Sequence, residues 1–331
     1  MDERLTYTKK EAGLYLTGLF GQNLIYNIVT AGLYYYFQNV ICLPAMALGW
    51  IFAIARIWDA INDPMMGSIV DKTKSKWGKC KPYLLFAPLV VCVITCAAFL
   101  NGNYAVAKQE GNTSAMVLIV AWAAVSYILW GMSYTAGDVP LWGVISRMSE
   151  VEKDRANLIA LARIVASIAA GLGIVSVVAL SQAANKQFGE SENAQKGFIV
   201  VGIAMTVIAS LLFECAGLGV KERVPNSEET KTMKESFVLM WKCKPFRRLM
   251  ISGILRAPLQ LLATVVMTLF TYYYCDGDLT NAFSNGKTFL TIVIVGGAFF
   301  IGQFGATAVC PALMKKTDVK KLYNLTALSA V

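Results

Sequence analysis

The chain has 331 residues, 56% hydrophobic and only 15% charged, where soluble globular chains carry about 25% charged residues; a water-soluble globular fold is excluded. Thirty Lys and Arg stand against 21 Asp and Glu, a formal charge of +9, but they cluster in loops between apolar runs and form no basic face interleaved with stacking aromatics, so no nucleic-acid partner is expected. The sequence has no histidine and no Gly-x-Ser-x-Gly elbow, which removes His relays, His metal sites and Ser–His or Cys–His catalytic pairs and argues against an enzyme.

Apolar runs of about twenty residues recur along the whole length, each long enough to cross about 30 Å of hydrocarbon as a helix. The chain reads as an all-α polytopic membrane protein. Spans are predicted at 14–40, 44–70, 82–105, 115–146, 156–183, 196–219, 248–275 and 286–313, with a ninth starting near 320. The start, MDERLTYTKKEAG, is too charged for a cleavable signal peptide. The terminal KKLYNLTALSAV reads as the beginning of a span too short to cross, which predicts a chain truncated after about eight to nine helices.

The second span carries charge where a bilayer helix should not. In FAIARIWDAINDPMMG, Arg56, Asp59 and Asp63 fall within an arc of about 60° at 100° per residue. Asp59 lies twelve residues before the Asp71 turn, hence about 18 Å deep. A charge at mid-membrane costs at least about 2.5–3.5 kcal/mol, so such groups face a protein interior or watery cavity and mark a substrate or ion path. A purely structural Arg56–Asp59 pair is the competing reading; it leaves Asp63 without a role.

The turn that follows, DKTKSKWGKCK, has five lysines and one aspartate. The fourth span, YILWGMSYTAGDVPLWGVISRM, sets Tyr134, Asp138 and Trp142 within about 80° on one face. A carboxylate accepts hydrogen bonds from sugar hydroxyls and an aromatic face stacks on a sugar ring; Trp142 can also be read as an interfacial belt residue. The fifth span holds a lone cation, Arg163, able to neutralise Asp138 or donate to a hydroxyl. Asp59, Asp63, Asn62 and Thr135 together form a hard-oxygen set, suited to Na⁺, or to a proton on the aspartates.

The loop after the sixth span, residues 221–247, has seven basic and four acidic residues. It divides an N-terminal six-helix half, 1–220, from an incomplete C-terminal half, 248–331. Lysine-rich turns alternate with basic-poor loops, which places the N-terminus in the cytosol. In the seventh span Arg256 precedes Pro258 by two residues, as either a substrate ligand or a salt-bridge partner. Pro64 with Asp71 and Pro311 with Asp318 share a seven-residue spacing before lysine-rich turns, a faint echo between halves. The eight cysteines are scattered and read as small buried hydrophobes. NTS, from Asn112, is a glycosylation sequon, and NGKT, from Asn285, lacks the leading glycine of a phosphate loop.

ARIWDAINDPMMG followed by KSKWGKCKPY, and YILWGMSYTAGDVPLW, resemble the second and fourth spans of the melibiose permease group. These are the glycoside–pentoside–hexuronide:cation symporters of the major facilitator superfamily. The resemblance implies two six-helix halves and cation-coupled sugar import by alternating access, with no cofactor beyond a coupling cation: Na⁺, H⁺ or Li⁺. It assigns the cation to Asp59 and Asp63 with Thr135 beside them. It assigns the sugar to Tyr134, Asp138, Trp142 and Arg163, with Arg56 and Asn62 lining the site. The turn around Gly67, Asp71 and Lys79 resembles the superfamily's gating motif.

One departure is specific. Where the melibiose permease group has an acidic first-span sugar ligand, this chain has Gln22 and Asn23, and Asn23 becomes the candidate. Losing that carboxylate argues against an α-galactoside and, with Arg256, admits a hexuronide as well as a neutral pentoside. The expected partners are a small sugar and the lipid bilayer, with the chain acting as a monomer in the plasma membrane (the inner membrane of a Gram-negative cell). A lysolipid or other amphiphile is the alternative cargo.

Overall fold

A computed structural model describes residues 7–191, 193–224, 233–244, 246–248 and 250–251. The chain divides into two compact units, Met1–Thr230 and Lys231–Val331. The predicted spans from residue 252 onward, with Arg256, Pro311, Asp318 and the NGKT stretch, lie outside the described residues.

Helix α1, Lys9–Asn27, starts at a capping box: the Thr8 hydroxyl accepts from the Glu11 N–H while Glu11 accepts from the Thr8 N–H. Two of the start's orphan donors are thereby satisfied. The helix runs on through two π-helical segments, Ile28–Leu33 and Tyr36–Val40, and together they fill the first predicted span. Pro44 precedes α2, Ala45–Lys72. Helix α3, Lys81–Phe99, has proline in its first turn, where no intrahelical N–H is required. A short α4, Tyr104–Gln109, follows under an Asn103 cap.

Asn112 then accepts from the Ala115 N–H and caps α5, Thr113–Gly143, so the sequon's asparagine works as a helix cap. Helix α6, Ile145–Met148, extends α5. Helix α7, Glu152–Gln187, places Glu152 and Asp154 in its first turn, where the helix dipole favours acid. Helix α8, Gln195–Gly219, closes the first unit, and α9, Met233–Lys242, belongs to the second.

Five of these stretches are long and apolar enough to cross a membrane: α2, α3 with α4, α5 with α6, α7 and α8. They coincide with the second to sixth predicted spans. No strand occurs among the described residues.

Helix α1 packs on α8 and α7, α3 on α8 and α5, and α2 chiefly on α5. The α1–α8 approach depends on missing side chains: a Cβ on Gly21 would strike the backbone of Ala209 and Phe213. Small residues that let backbones approach are how apolar helices associate without a hydrophobic driving force. The core beneath includes Tyr15, Tyr36, Phe99 and Phe213, all fully buried. Met46, Trp50, Ile57 and Ile61 leave α2 with an exposed apolar face.

One end of this bundle is tied by two residues that follow α8. The Glu222 carboxylate accepts the backbone N–H groups of Lys79, Cys80 and Lys81 at 3.0, 2.8 and 3.0 Å, three orphan donors at the start of α3. Gly78 makes room at φ +112°, where a Cβ would collide with Glu222. Arg223 grips both oxygens of Glu11 at 2.8 and 2.7 Å, and its own N–H reaches the Arg147 carbonyl at 2.8 Å. Burial alone would raise the Glu11 pKa, but hydrogen bonds from Thr8 and the Arg223 guanidinium hold it below the ordinary value. Burial first, then the Glu222 charge, pushes the Cys80 thiol up to about 12, an inert thiol.

Candidate functional site

A cavity of about 190 Å³ opens between α1, α2 and α5. Helix α2 supplies Arg56, Asp59 and Asp63, and α5 supplies Tyr134, Thr135 and Asp138. The helical periodicity that puts each trio on one face is what brings both faces to the same space.

On the α2–α5 side, Thr135 Oγ1 lies 3.0 Å from Asp63 Oδ1 and 3.0 Å from the Gly131 carbonyl. Thr135 is buried, whereas Asp63 is exposed to the cavity mouth. Asp59 sits against the same wall: a Cβ on Gly131 would lie 3.2 Å from Asp59 Oδ1. Arg56 Nη1 is 3.6 Å from Asp59 Oδ2, beyond hydrogen-bond range. This is a loose pair. Pro64 lies inside α2 one residue past Asp63. It removes a backbone donor there, tolerated in a membrane helix that lines a cavity.

The α1–α5 side is a polar network on an aromatic wall. Asp138 Oδ1 accepts from Gln22 Nε2 at 2.6 Å and from Trp142 Nε1 at 3.1 Å. Gln22 Nε2 also donates to the Tyr134 hydroxyl. Arg163 stacks over the Trp142 ring at 4.7 Å, a cation–π contact. Asp138 is thus linked to Arg163 through an indole rather than directly. Trp130 and Tyr134 stack at 5.1 Å, and Tyr26 closes on Tyr134 at 5.5 Å. An aromatic surface beside a carboxylate is what a sugar ring with hydroxyl edges requires.

The sequence candidates therefore separate. Arg56, Asp59, Asp63, Tyr134, Thr135 and Asp138 line the cavity, and Trp142 and Arg163 are joined to it through Asp138. Asn62 is buried and absent from the lining, its Nδ2 without a partner. Asn23 donates to the Leu19 carbonyl at 3.0 Å and to Gln22 Oε1 at 2.7 Å; it braces Gln22 instead of facing the cavity. At the tied end, Asp71 reaches Arg147 at 3.7 Å, Lys79 is buried at the Glu222 carboxylate, and Gly67 faces open space. Gln22, Tyr26 and Trp130 were not among the candidates. Their signal was present: Tyr26 follows Gln22 by four residues, and Trp130 precedes Tyr134 by four.

Among the described residues no cluster of three or more His, Cys, Asp or Glu side chains could hold a metal. Asp59, Asp63 and Thr135 offer two carboxylates and a hydroxyl, a donor set suited to a hard ion.

Residues 14–331 match the family described as MFS/sugar transport protein. The chain belongs to this family. Its relatives include the isoprimeverose transporter of Lactiplantibacillus pentosus, 26% identical over 79% of this chain and 53% of the relative. The inner membrane symporter YicJ of Escherichia coli (strain K12) is 28% identical over 75% of this chain and 50% of the relative. The putative glycoside/cation symporter YagG of the same strain is 30% identical over 37% of this chain and 24% of the relative. The chain spans about half the length of the first two, 53% and 50%.

Membership in this sugar transport family bears out the resemblance to the glycoside–pentoside–hexuronide:cation symporters and the all-α, multi-pass major facilitator fold.

Proposed function

We propose that this cavity is the half-site of a cation-coupled sugar symporter. Na⁺ binds at Asp63, Asp59 and Thr135, and a neutral glycoside or pentoside lies against Tyr134 and Asp138, with Trp142 and Arg163 holding Asp138 from behind. The observation that carries the reading is the 3.0 Å contact of Thr135 with Asp63. It sets a hydroxyl and a carboxylate from two helices beside a second carboxylate, in the same cavity as an aromatic wall. The described lining holds three carboxylates and one guanidinium. A bound cation offsets part of that negative charge and favours a neutral sugar over a hexuronide, which would add another carboxylate.

Coupling follows from the shared helices. Asp63 and Asp59 stand on α2, and Thr135 and Asp138 on α5, with Thr135 touching Asp63 across the gap. A cation drawn to the carboxylates pulls α2 onto α5 and fixes the face that carries Tyr134 and Asp138. The sugar then meets an ordered surface, and each ligand favours the other by linkage. The lysine-rich turns support an N-terminus in the cytosol; we extend this to a monomeric plasma-membrane carrier working by alternating access. Three carboxylates make a poor wall for an acyl chain, so a lysolipid cargo is the weaker reading.

The test is uptake by proteoliposomes bearing the protein, with xylosides, galactosides and glucuronides, under a Na⁺ gradient, a Li⁺ gradient or a pH gradient. Na⁺-stimulated uptake of one neutral class is expected. Uptake driven only by the pH gradient would reassign the aspartates to proton carriage. Uptake of glucuronides alone would overturn the neutral-sugar assignment.

A further inference from the structure

A second cavity, of about 450 Å³, lies outside the sugar site, between α3, α5 and the lysine-rich turn after α2. Its walls are Tyr83, Phe86 and Val90 of α3, and its floor is made by the small side chains of Ala87, Ser133 and Ala136. The Ser133 hydroxyl is engaged by the Trp130 carbonyl at 2.9 Å, so the floor presents no available polar group. Phe86 and Val90 are 59% and 50% exposed, one helical turn apart along the opening. From Pro82 to Val90 the groove runs about 12 Å along the helix, close to the thickness of one hydrocarbon leaflet of about 15 Å.

Its mouth is polar and cationic. Thr73 Oγ1 donates to the Ile69 carbonyl at 2.8 Å and accepts from the Tyr83 hydroxyl at 2.7 Å, and Ser75 and Trp77 complete the rim. Lys72, Lys74 and Lys76 are all exposed on the turn beside it. The turn's acid, Asp71, reaches Arg147 at 3.7 Å. Trp77 is 56% exposed, the position of an interfacial belt residue. An apolar slot one leaflet deep, entered through hydroxyls under three lysines, matches a lipid with a negative headgroup.

We infer that this groove binds an anionic phospholipid, with an acyl chain along Phe86 and Val90 and the headgroup phosphate at the Thr73–Tyr83 rim under Lys72, Lys74 and Lys76. Each lysine near an anionic headgroup favours binding about fivefold. The site is independent of the sugar reading: none of its residues lines the first cavity.

The test is native mass spectrometry of the whole chain in detergent, titrated with phosphatidylglycerol and phosphatidylcholine of the same acyl chains. The wild type is expected to retain phosphatidylglycerol at least about fivefold better. Lys72→Gln, Lys74→Gln and Lys76→Gln combined, all surface changes, should erase that preference while leaving phosphatidylcholine binding unchanged. Val90→Trp, at an exposed position, should weaken both lipids. Equal retention of the two lipids by wild type, or an unchanged preference in the lysine variant, overturns the inference. So does a disulfide from Val90→Cys to Cys275 or Cys310, which would show the chain itself covering the groove.

Discussion

The hydroxyl of Thr135 on α5 stands 3.0 Å from the Asp63 carboxylate on α2, and this contact joins two of the helices that wall the cavity of about 190 Å³. Hydrogen bonds to charged groups contribute about 1.5–3 kcal/mol. Thr135→Val, which keeps the shape and removes the oxygen, should therefore weaken Na⁺ binding at least about tenfold. Thr135→Ser should recover most of the loss. Na⁺ titration followed by isothermal calorimetry checks both.

Gln22 holds Asp138 and Tyr134 together from α1. Gln22→Ala releases both and should lower sugar affinity about tenfold, as expected for one lost hydrogen bond to a charged group, with Na⁺ affinity nearly unchanged. Gln22→Glu sets a carboxylate beside Asp138 and should cost more, through like-charge repulsion. Equilibrium sugar binding with and without saturating Na⁺ separates the two effects. An equal loss of sugar and Na⁺ affinity in Gln22→Ala would contradict the assignment.

The Glu11–Arg223 pair makes the tied end sensitive to acid. Because the folded pKa of Glu11 is depressed, its contribution is complete above the ordinary glutamate value of about 4.3. It is lost as pH falls through the lower folded value. Wild type should therefore melt above Glu11→Gln at pH 7, by an amount set by about 1 kcal/mol, and the gap should close below about pH 4. Thermal unfolding in detergent across that range measures it. A gap that widens in acid would show the sign to be wrong.

Glu222 satisfies three N–H groups at once, so Glu222→Ala leaves orphan donors at the start of α3. Each unsatisfied buried donor costs about 1–3 kcal/mol where water cannot enter. The variant should expose Cys80, a residue only 1% accessible at this contact, to maleimide labelling. Cys80 labelling no faster than in wild type would mean the α3 start holds without Glu222.

The carboxylate face of α2 and the Tyr134–Asp138–Trp142 face of α5 were legible because helical periodicity fixes which residues share a side. Periodicity alone did not exclude Asn62, which lies about 100° from Asp63 but only about 60° from Asp59; its burial away from the lining did. The choice between Gln22 and Asn23 was not legible. Neighbouring residues on a helix point to different sides, and the side that meets the cavity depends on how α1 seats its glycines against α8. Glu222 was invisible for a plainer reason: its partner Lys79 is 143 positions away, and an acid in a lysine-rich loop reads as solvated. The π-helical turns after Asn27 left no pattern in residue type. Asn112 read as a sequon, when its local chemistry is that of a helix cap.

The most direct measurement is Na⁺-dependent sugar binding to Asp63→Asn and Asp59→Asn beside wild type, in protein shown to be folded by its melting curve. Either substitution should abolish the Na⁺ enhancement while leaving a weaker, Na⁺-independent affinity for the same sugar. Na⁺ enhancement preserved in both variants would contradict the cation seat between α2 and α5.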